Sequence, residues 1–182
     1  MQPAIFLDRD GVLIENCPQY VRSWEDVVIL DQAISALAKI NSCPFKIIII
    51  TNQSAVGRGI IPIHKAEEIN QRLVSVIEEA GGRIDGVFVC PHAPEDSCDC
   101  RKPKPGLLFQ AAQALCLDLG RSIVIGDAVS DLQAGQAAGV QTRVLVKTGR
   151  GAEQQLLARE MKLEPYQVFE TLAEALASIL NQ

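Results

Sequence analysis

Apolar runs of strand length alternate with amphipathic helical stretches along the whole chain. Ala4-Ile5-Phe6-Leu7 is a short apolar run that breaks off at Asp8-Arg9-Asp10-Gly11. Asp31 stands where an N-cap belongs, ahead of a helix with Ile34, Leu37 and Ile40 on one face. Lys46-Ile47-Ile48-Ile49-Ile50 is continuous and β-branched rather than alternating, the pattern of a strand covered on both faces. It ends at Thr51-Asn52-Gln53-Ser54, and a glycine-containing loop follows, Val56-Gly57-Arg58-Gly59. The spacing of Ile69, Leu73, Val76 and Ile77 predicts a helix over residues 64–80, stopped by Gly81-Gly82. Residues 86–90 read as a third strand. Residues 91–104, rich in Pro, Cys, Asp and Lys, read as a loop. Pro105 suits the first turn of a helix that runs to Ala114 or Cys116. A fourth strand at 122–125 ends at Gly126-Asp127, a short helix at 132–138 is closed by Gly139, and a fifth strand occupies 143–146. Helical patterns recur from Ala152 and over 170–180.

Strands alternating with helices at this spacing mean βαβ units. The expected fold is α/β: one Rossmann-like three-layer domain over residues 1–182, with a mostly parallel sheet and helices on both faces. In such sheets ligands bind beyond the carboxyl ends of the strands, near the switch in strand order. Asp8, Thr51, Cys90 and Asp127 each fall at or just after a strand end. They should therefore share one edge of the molecule. Only 42 residues separate Asp8 from Thr51 and 50 separate Thr51 from Lys102, mostly used by core elements, so no large cap domain fits between them.

Composition narrows the partners. The chain has 182 residues, 48% hydrophobic and 21% charged, which excludes a disordered class and allows roughly 70% of the unfolded surface to be buried. A net charge of −5 gives no basic footprint for nucleic acid or an anionic membrane. No apolar run approaches the ~18 residues of a membrane span. Asp8, Arg9 and Asp10 stand where an export signal would be apolar, so a cytoplasmic protein is expected. A monomer is the expected assembly. Six cysteines in that setting point to reduced thiols or a metal site more than to disulfides.

Asp8 and Asp10, at i and i+2 where a strand opens into a loop, repel unless a cation or proton lies between them. Asp127 arrives from another strand end with a third negative charge, and Asp131 adds a fourth nearby. Carboxylates of this kind suit Mg²⁺, which keeps waters for substrate oxygens. With a cation present, a phosphate becomes a natural ligand. Thr51 offers a hydroxyl and Lys102 a positive charge. Phosphoryl transfer needs an in-line nucleophile, charge neutralisation and positioning, and a carboxylate can be that nucleophile. Taken singly, each of these residues is as well explained as a loop Asp, a cap or a solvated Lys. The pattern Asp-x-Asp-Gly, Thr-Asn, Lys, Gly-Asp-x-x-x-Asp in that order is what points to chemistry.

Cys90-Pro91-His92 and Cys98-Asp99-Cys100 place four soft or borderline ligands within eleven residues. That is the donor set of a closed tetrahedral Zn²⁺ site, structural because it has no open position. Its role would be to fold a loop with no apolar face of its own. A disulfide or free thiols are the alternatives. Cys17, Cys43 and Cys116 lack such neighbours. Arg101-Lys102-Pro103-Lys104 follows at once, so a zinc loop over about 90–100 would hold Arg101 and Lys102 rigidly over the phosphate site. Lys104 is the rival of Lys102 for the catalytic lysine.

Asp8-Arg9-Asp10-Gly11, Thr51-Asn52-Gln53, Lys102 and Gly126-Asp127 with Asp131 resemble the four motifs of the haloacid-dehalogenase-like phosphatases, from about Ile5 to Val146. The resemblance implies that Asp8 is the nucleophile and that Asp10 protonates the leaving oxygen and then activates water. It implies that Thr51 and Lys102 bind the phosphoryl group, and that Asp8, the Asp10 main-chain carbonyl and Asp127 hold Mg²⁺. Cys98-Asp99-Cys100-Arg101-Lys102-Pro103 narrows the resemblance to the heptose-bisphosphate phosphatase and histidinol-phosphatase family. That implies a phosphorylated sugar substrate, D-glycero-D-manno-heptose 1,7-bisphosphate losing its C7 phosphate, in lipopolysaccharide precursor synthesis. It also implies substrate contacts from Arg101, from Tyr20, and from Asn52, Gln53 and Ser54. Val12 replaces a frequent Thr, and Ala128 stands where a Lys often follows Gly-Asp. Histidinol phosphate is the alternative substrate. Nucleic-acid 3′-phosphatases share the motifs, but the charge and the lack of a basic or aromatic stripe argue against them. A zinc-stabilised module without catalysis is the reading from another class; the intact Asp8, Asp10, Thr51, Lys102 and Asp127 argue against that.

Overall fold

Six apolar runs become the strands of one sheet: β1 (Ala4–Leu7), β2 (Lys46–Asn52), β3 (Gly86–Cys90), β4 (Ile123–Gly126), β5 (Thr142–Val146) and β6 (Gln167–Phe169). The computed structural model describes residues 1–180. The strand order is β3-β2-β1-β4-β5-β6, with every neighbouring pair parallel. Helices α1 (Asp31–Lys39), α2 (Ser54–Gly57), α3 (Ile63–Glu79), α4 (Gly106–Leu115), α5 (Val129–Ala137), α6 (Gly151–Glu160) and α7 (Leu172–Leu180) connect them. None of the described helices is long and apolar enough to cross a membrane.

The period of two along each strand sorts the core into two layers. Ile5, Leu7, Ile47, Ile49, Ile125 and Val144 face one way, onto α1, α3 and α7. Phe6, Ile48, Ile50 and Val124 face the other way, onto Leu107, Leu108 and Ala111 of α4 and Ala134 of α5. Farther along that face, Leu145 meets Val129 and Leu132 of α5 and Ala158 of α6. Burial on both faces explains why β2 is a run of four isoleucines without polar alternation, each worth about 1.5–3 kcal/mol when fully buried. The α/β reading holds, with helices on both faces and no large cap. Between β1 and β2 the described chain is a short flap and α1.

Three local features differ from expectation. β6 is a sixth strand: three residues at the sheet edge with partly exposed side chains, too short to carry an apolar signal. The loop after β2 contains the four-residue α2, whose single buried side chain, Ala55, leaves no periodicity to read. Asp31 is the first residue of α1 and not its cap; Leu30 holds that place, and no side chain bonds the free amides there. Asp31 still carries its charge at the positive end of the helix.

The sheet order sets the location of the site. From β1 the chain builds outward through β2 and β3, then returns to the other side of β1 with β4. The switch point therefore lies between β1 and β4, where Leu7 is in register with Ile125. Asp8 and Asp127 leave the sheet at this crevice.

Candidate active site

The chain turns back on itself directly after β1. Leu13 and Ile14 donate their N–H to the Arg9 carbonyl at 2.9 and 3.2 Å, and Gly11 donates to Ile14 at 2.7 Å. Glu15 N–H reaches Val28 O at 2.8 Å and Leu30 N–H reaches Leu13 O at 3.0 Å, which makes a flap beside the strand ends. The turn needs Gly11. Its φ is +83°, and a Cβ there would collide with the Asp127 carboxylate.

Four acidic side chains gather below this flap. Asp8, Asp127 and Asp131 are buried, with carboxylate oxygens within 4.8 Å of one another. Asp10 is nearby, its side chain 25% exposed. Lys102 answers two of them from within: its Nζ lies 2.9 Å from Asp8 Oδ1 and 2.6 Å from Asp131 Oδ1, and donates to Ile50 O at 3.0 Å. Asp131 also caps α5, its Oδ2 accepting from Ala128 N–H at 3.2 Å. Its Oδ1 has no hydrogen bond of its own but is closely ion-paired with Lys102. At Asp127 the corresponding ion pair is longer. Asp127 Oδ2 accepts from Asn16 Nδ2 at 2.7 Å and Arg150 N–H at 2.9 Å, but Oδ1 has no hydrogen bond, and Arg150 Nη2 stands 3.5 Å away.

Burial and crowded like charge act on the acids here. Burial pushes the Asp8 carboxyl up to about 7; Lys102 pulls it back, and Asp131, Asp127 and Asp10 push it further up. Burial likewise raises Asp131, with Lys102 opposing. Burial works against the Lys102 ammonium, but Asp131 and Asp8 outweigh it and hold its pKa above the ordinary lysine value. A buried, unpartnered Asp127 oxygen beside a carboxyl that resists ionisation is the donor set a hard divalent cation fits. Asp8 and Asp127, with the Asp10 carbonyl, could hold it. The three buried carboxylates could also be read as the ligand set, but Asp131 is taken by Lys102.

This makes a pH prediction. Between the unfolded carboxylate value near 3.8 and the folded value of about 7, Asp8 binds a proton only in the folded state. Its contribution to stability therefore falls as pH rises through that window and is flat above it. Metal-free protein should lose stability across pH 4–7 from this group. Added Mg²⁺ should raise the melting temperature more at pH 8 than at pH 5, as thermal melts with and without Mg²⁺ would show. An equal Mg²⁺ effect at both pH values contradicts it.

The acids form the floor of a cleft of about 410 Å³. Of the residues predicted from sequence, Asp8, Asp10, Tyr20, Asn52, Gln53, Ser54, Arg101 and Lys102 line it. Thr51 and Asp127, fully buried, belong to the strand ends beneath. Asn52 exchanges two bonds with the Lys102 backbone, Nδ2 to O and N–H to Oδ1, both 3.1 Å. Gln53 donates to Thr51 Oγ1 at 2.7 Å and to Asp10 Oδ2 at 3.2 Å. The amides of both residues are thus used to hold neighbouring site residues. Arg101 is tied by one bond, Nη1 to His92 O at 3.2 Å. Lys104, the rival of Lys102, is outside the cleft: its Nζ reaches Asp99 at 2.9 Å and Ser97 O at 3.3 Å. Among the lining residues given no role from the sequence, two are charged, Arg9 and Arg150. Arg9 reads from sequence as a solvated loop charge, and Arg150 sits in a loop without a signal.

Cys90, His92, Cys98 and Cys100 converge at the rim. The sulfur–sulfur distances are 3.2, 3.5 and 3.6 Å, and His92 Nδ1 lies 3.3 Å from Cys100 and 3.7 Å from Cys90. All six cysteines are free thiols. A tetrahedron with Zn–S of about 2.3 Å and Zn–N of about 2.0 Å has edges of about 3.5–3.8 Å, so the cluster matches one in donor type and nearly in size. Burial pushes the Cys90 thiol up to about 12, and hydrogen bonding to Cys100 adds to it. A cation is what would make thiolates of such a cluster.

Comparison with known proteins bears on this arrangement. A family model described as HAD-hydrolase-like matches residues 99–175. The chain is 36% identical over 178 residues to D-glycero-beta-D-manno-heptose-1,7-bisphosphate 7-phosphatase of Pseudomonas aeruginosa, covering 98% of this chain and 97% of that one. It is 36% identical over 155 residues to the protein of the same name from Escherichia coli K12, covering 81% of each. Among solved structures, D,D-heptose 1.7-bisphosphate phosphatase from B. bronchiseptica, complexed with magnesium and phosphate, superposes with a TM-score of 0.90 at 31% identity, covering 98% of both chains.

Proposed function

This chain belongs to the haloacid-dehalogenase-like phosphatase family that includes the heptose-1,7-bisphosphate 7-phosphatases, and we propose that it hydrolyses the C7 phosphate of D-glycero-D-manno-heptose 1,7-bisphosphate. It is a phosphoric monoester hydrolase. The observation that carries the reading is the meeting of Asp8, Asp127 and Lys102 at the β1/β4 switch point, under a cleft of sugar-phosphate size. Identity across nearly the full length of the Pseudomonas aeruginosa protein favours the heptose substrate over histidinol phosphate.

The Asp8 carboxylate attacks phosphorus, the bond from phosphorus to the C7 oxygen breaks, and Asp10 gives that oxygen its proton. Asp10, now a base, takes a proton from water. The water oxygen attacks the aspartyl-phosphate at phosphorus, releasing inorganic phosphate and restoring Asp8. Arg9 N–H at 2.8 Å and Lys102 at 2.9 Å hold Asp8 Oδ1 and so fix the plane of the nucleophile. Thr51 Oγ1 already accepts from Gln53, which frees its own proton for a phosphoryl oxygen. Lys102 is placed to follow the developing charge. Mg²⁺ held by Asp8, the Asp10 carbonyl and Asp127 would supply charge neutralisation at the phosphoryl oxygens. Arg101, Tyr20, Asn52, Gln53 and Ser54 form the wall that meets the sugar. Zn²⁺ bound by Cys90, His92, Cys98 and Cys100 would fix the loop that carries Arg101 and Lys102.

The free thiols suit a reducing cytoplasm, and the product would feed lipopolysaccharide precursors. A monomer is the assembly we propose. Steady-state turnover on the two candidate substrates is the test. kcat/KM for the heptose bisphosphate should exceed that for histidinol phosphate by about 100-fold or more, since polar groups built for one substrate are left unpaired by the other. The reverse ranking would overturn the assignment. Elemental analysis of the same protein, prepared reduced and free of chelator, should give close to one zinc per chain; zinc-free protein with a folded loop contradicts the zinc site.

A further inference from the structure

Arg9 has the largest fully buried side chain in the molecule, 1% exposed, although it sits in a loop between two acids. A guanidinium only donates, so each atom it faces must be an acceptor. Nε lies 3.1 Å from Asp10 Oδ2 and Nη2 3.0 Å from Asp10 Oδ1, a two-pronged grip on one carboxylate. Nη2 also reaches Gln53 Oε1 at 3.1 Å, and Nη1 reaches Asn70 Oδ1 at 2.9 Å. Asn70 belongs to α3, is 3% exposed, and does not line the cleft. It grips the guanidinium from a helix that packs against the sheet, through a nitrogen other than the two that hold Asp10.

Stability is a poor explanation for this chain of contacts. A buried ion pair gains little over apolar packing of the same volume. What it does supply is direction. Asp10 is the only one of the four acids with a substantially exposed side chain, and a free carboxylate there would rotate among staggered positions. The fork of Arg9 permits one. Asn70 in turn permits one position of the fork.

We propose that Asn70 and Arg9 form a relay from α3 that aims the Asp10 carboxylate at the leaving oxygen and then at the attacking water. Both are positioning residues in this role: the Arg9 side chain acts through the Asp10 carboxylate, and Asn70 acts through Arg9. The relay rests on the reading of Asp8 as nucleophile and Asp10 as acid and base, so its test carries D10N as a reference.

Two readouts are taken on the full-length protein with Mg²⁺: steady-state turnover of the heptose bisphosphate, and acid-quenched phosphoenzyme formed from 4-nitrophenyl phosphate, whose leaving group needs no proton. Asn70→Leu should lower kcat by about 10–100-fold, a part of the 10²–10⁴ that acid–base catalysis supplies, with KM little changed. It should accumulate phosphoenzyme from 4-nitrophenyl phosphate, as D10N does, because hydrolysis of the intermediate still needs an aimed base. Asn70→Asp keeps an acceptor for Arg9 and should stay within about threefold of the parent, since each lost tenfold corresponds to a real loss of transition-state stabilisation. Asn70→Ser, too short to reach Arg9, replaces the Leu variant if that fails to fold, with the same expected result. Phosphoenzyme trapped by D10N but not by the Leu or Ser variant, or unchanged kcat in that variant, overturns the relay alone. No phosphoenzyme in D10N overturns the underlying mechanism and the relay with it.

Discussion

Asp8→Asn should lower kcat on the heptose bisphosphate by about 10⁴-fold or more, the scale on which removal of a covalent nucleophile is felt. The amide cannot carry the phosphoryl group. It can keep the shape of the site, because its oxygen still accepts from Arg9 N–H and Lys102, which now stand at 2.8 and 2.9 Å from Asp8 Oδ1. It also removes one negative charge that Asp131, Asp127 and Asp10 repel. The variant should therefore melt close to the parent temperature without Mg²⁺ and gain less from added Mg²⁺. Steady-state kinetics beside thermal melts would check both. Turnover near the parent level would remove covalent catalysis by Asp8.

Lys102→Met should cost both activity and stability. Lys102 is 4% exposed and gives its three donors to Asp8, Asp131 and Ile50 O. Removing it leaves two buried carboxylates without their cation, a change worth about 3–5 kcal/mol when one partner of a buried pair is lost. Activity should fall by about 10²–10³-fold, the cost of losing one preorganised donor to a developing charge. The sign of the pH effect follows from the raised values of Asp8 and Asp131. Below pH 7 Asp8 takes up a proton in the folded state, Asp131 is shifted the same way, and the repulsion fades. The destabilisation should be larger at pH 8 than at pH 5 in urea unfolding of metal-free protein. A variant as stable as the parent at pH 8 would mean that Lys102 does not neutralise this cluster.

Much of this site could be read from the sequence because each residue sits at a strand end, and a parallel sheet places strand ends together. Asp8, Thr51 and Asp127 needed only the alternation of apolar runs to be assigned to one edge. The metal-ligand spacing of Cys90, His92, Cys98 and Cys100 was legible for a different reason: four donors within eleven residues can converge without help from the rest of the fold. Arg9 was not legible in this way. A charged residue in a loop between two acids reads as solvated. One of its buried partners is Asn70, 61 residues later, whose helical pattern marks it only as one polar position among apolar ones. Asn16 and Arg150 reach Asp127 from the flap and from the loop before α6, where no periodicity announces a direction. β6 escaped because three partly exposed residues at an edge bury too little to leave a pattern.

The most direct test of the account is to catch the covalent intermediate. Protein turning over heptose bisphosphate with Mg²⁺ is quenched in acid within milliseconds, digested, and its peptides weighed. A phosphoryl adduct on the peptide that carries Asp8, absent from the Asp8→Asn protein and absent when Mg²⁺ is withheld, is the predicted result. Rapid turnover with no adduct at any quench time, or an adduct on a different peptide, would contradict it.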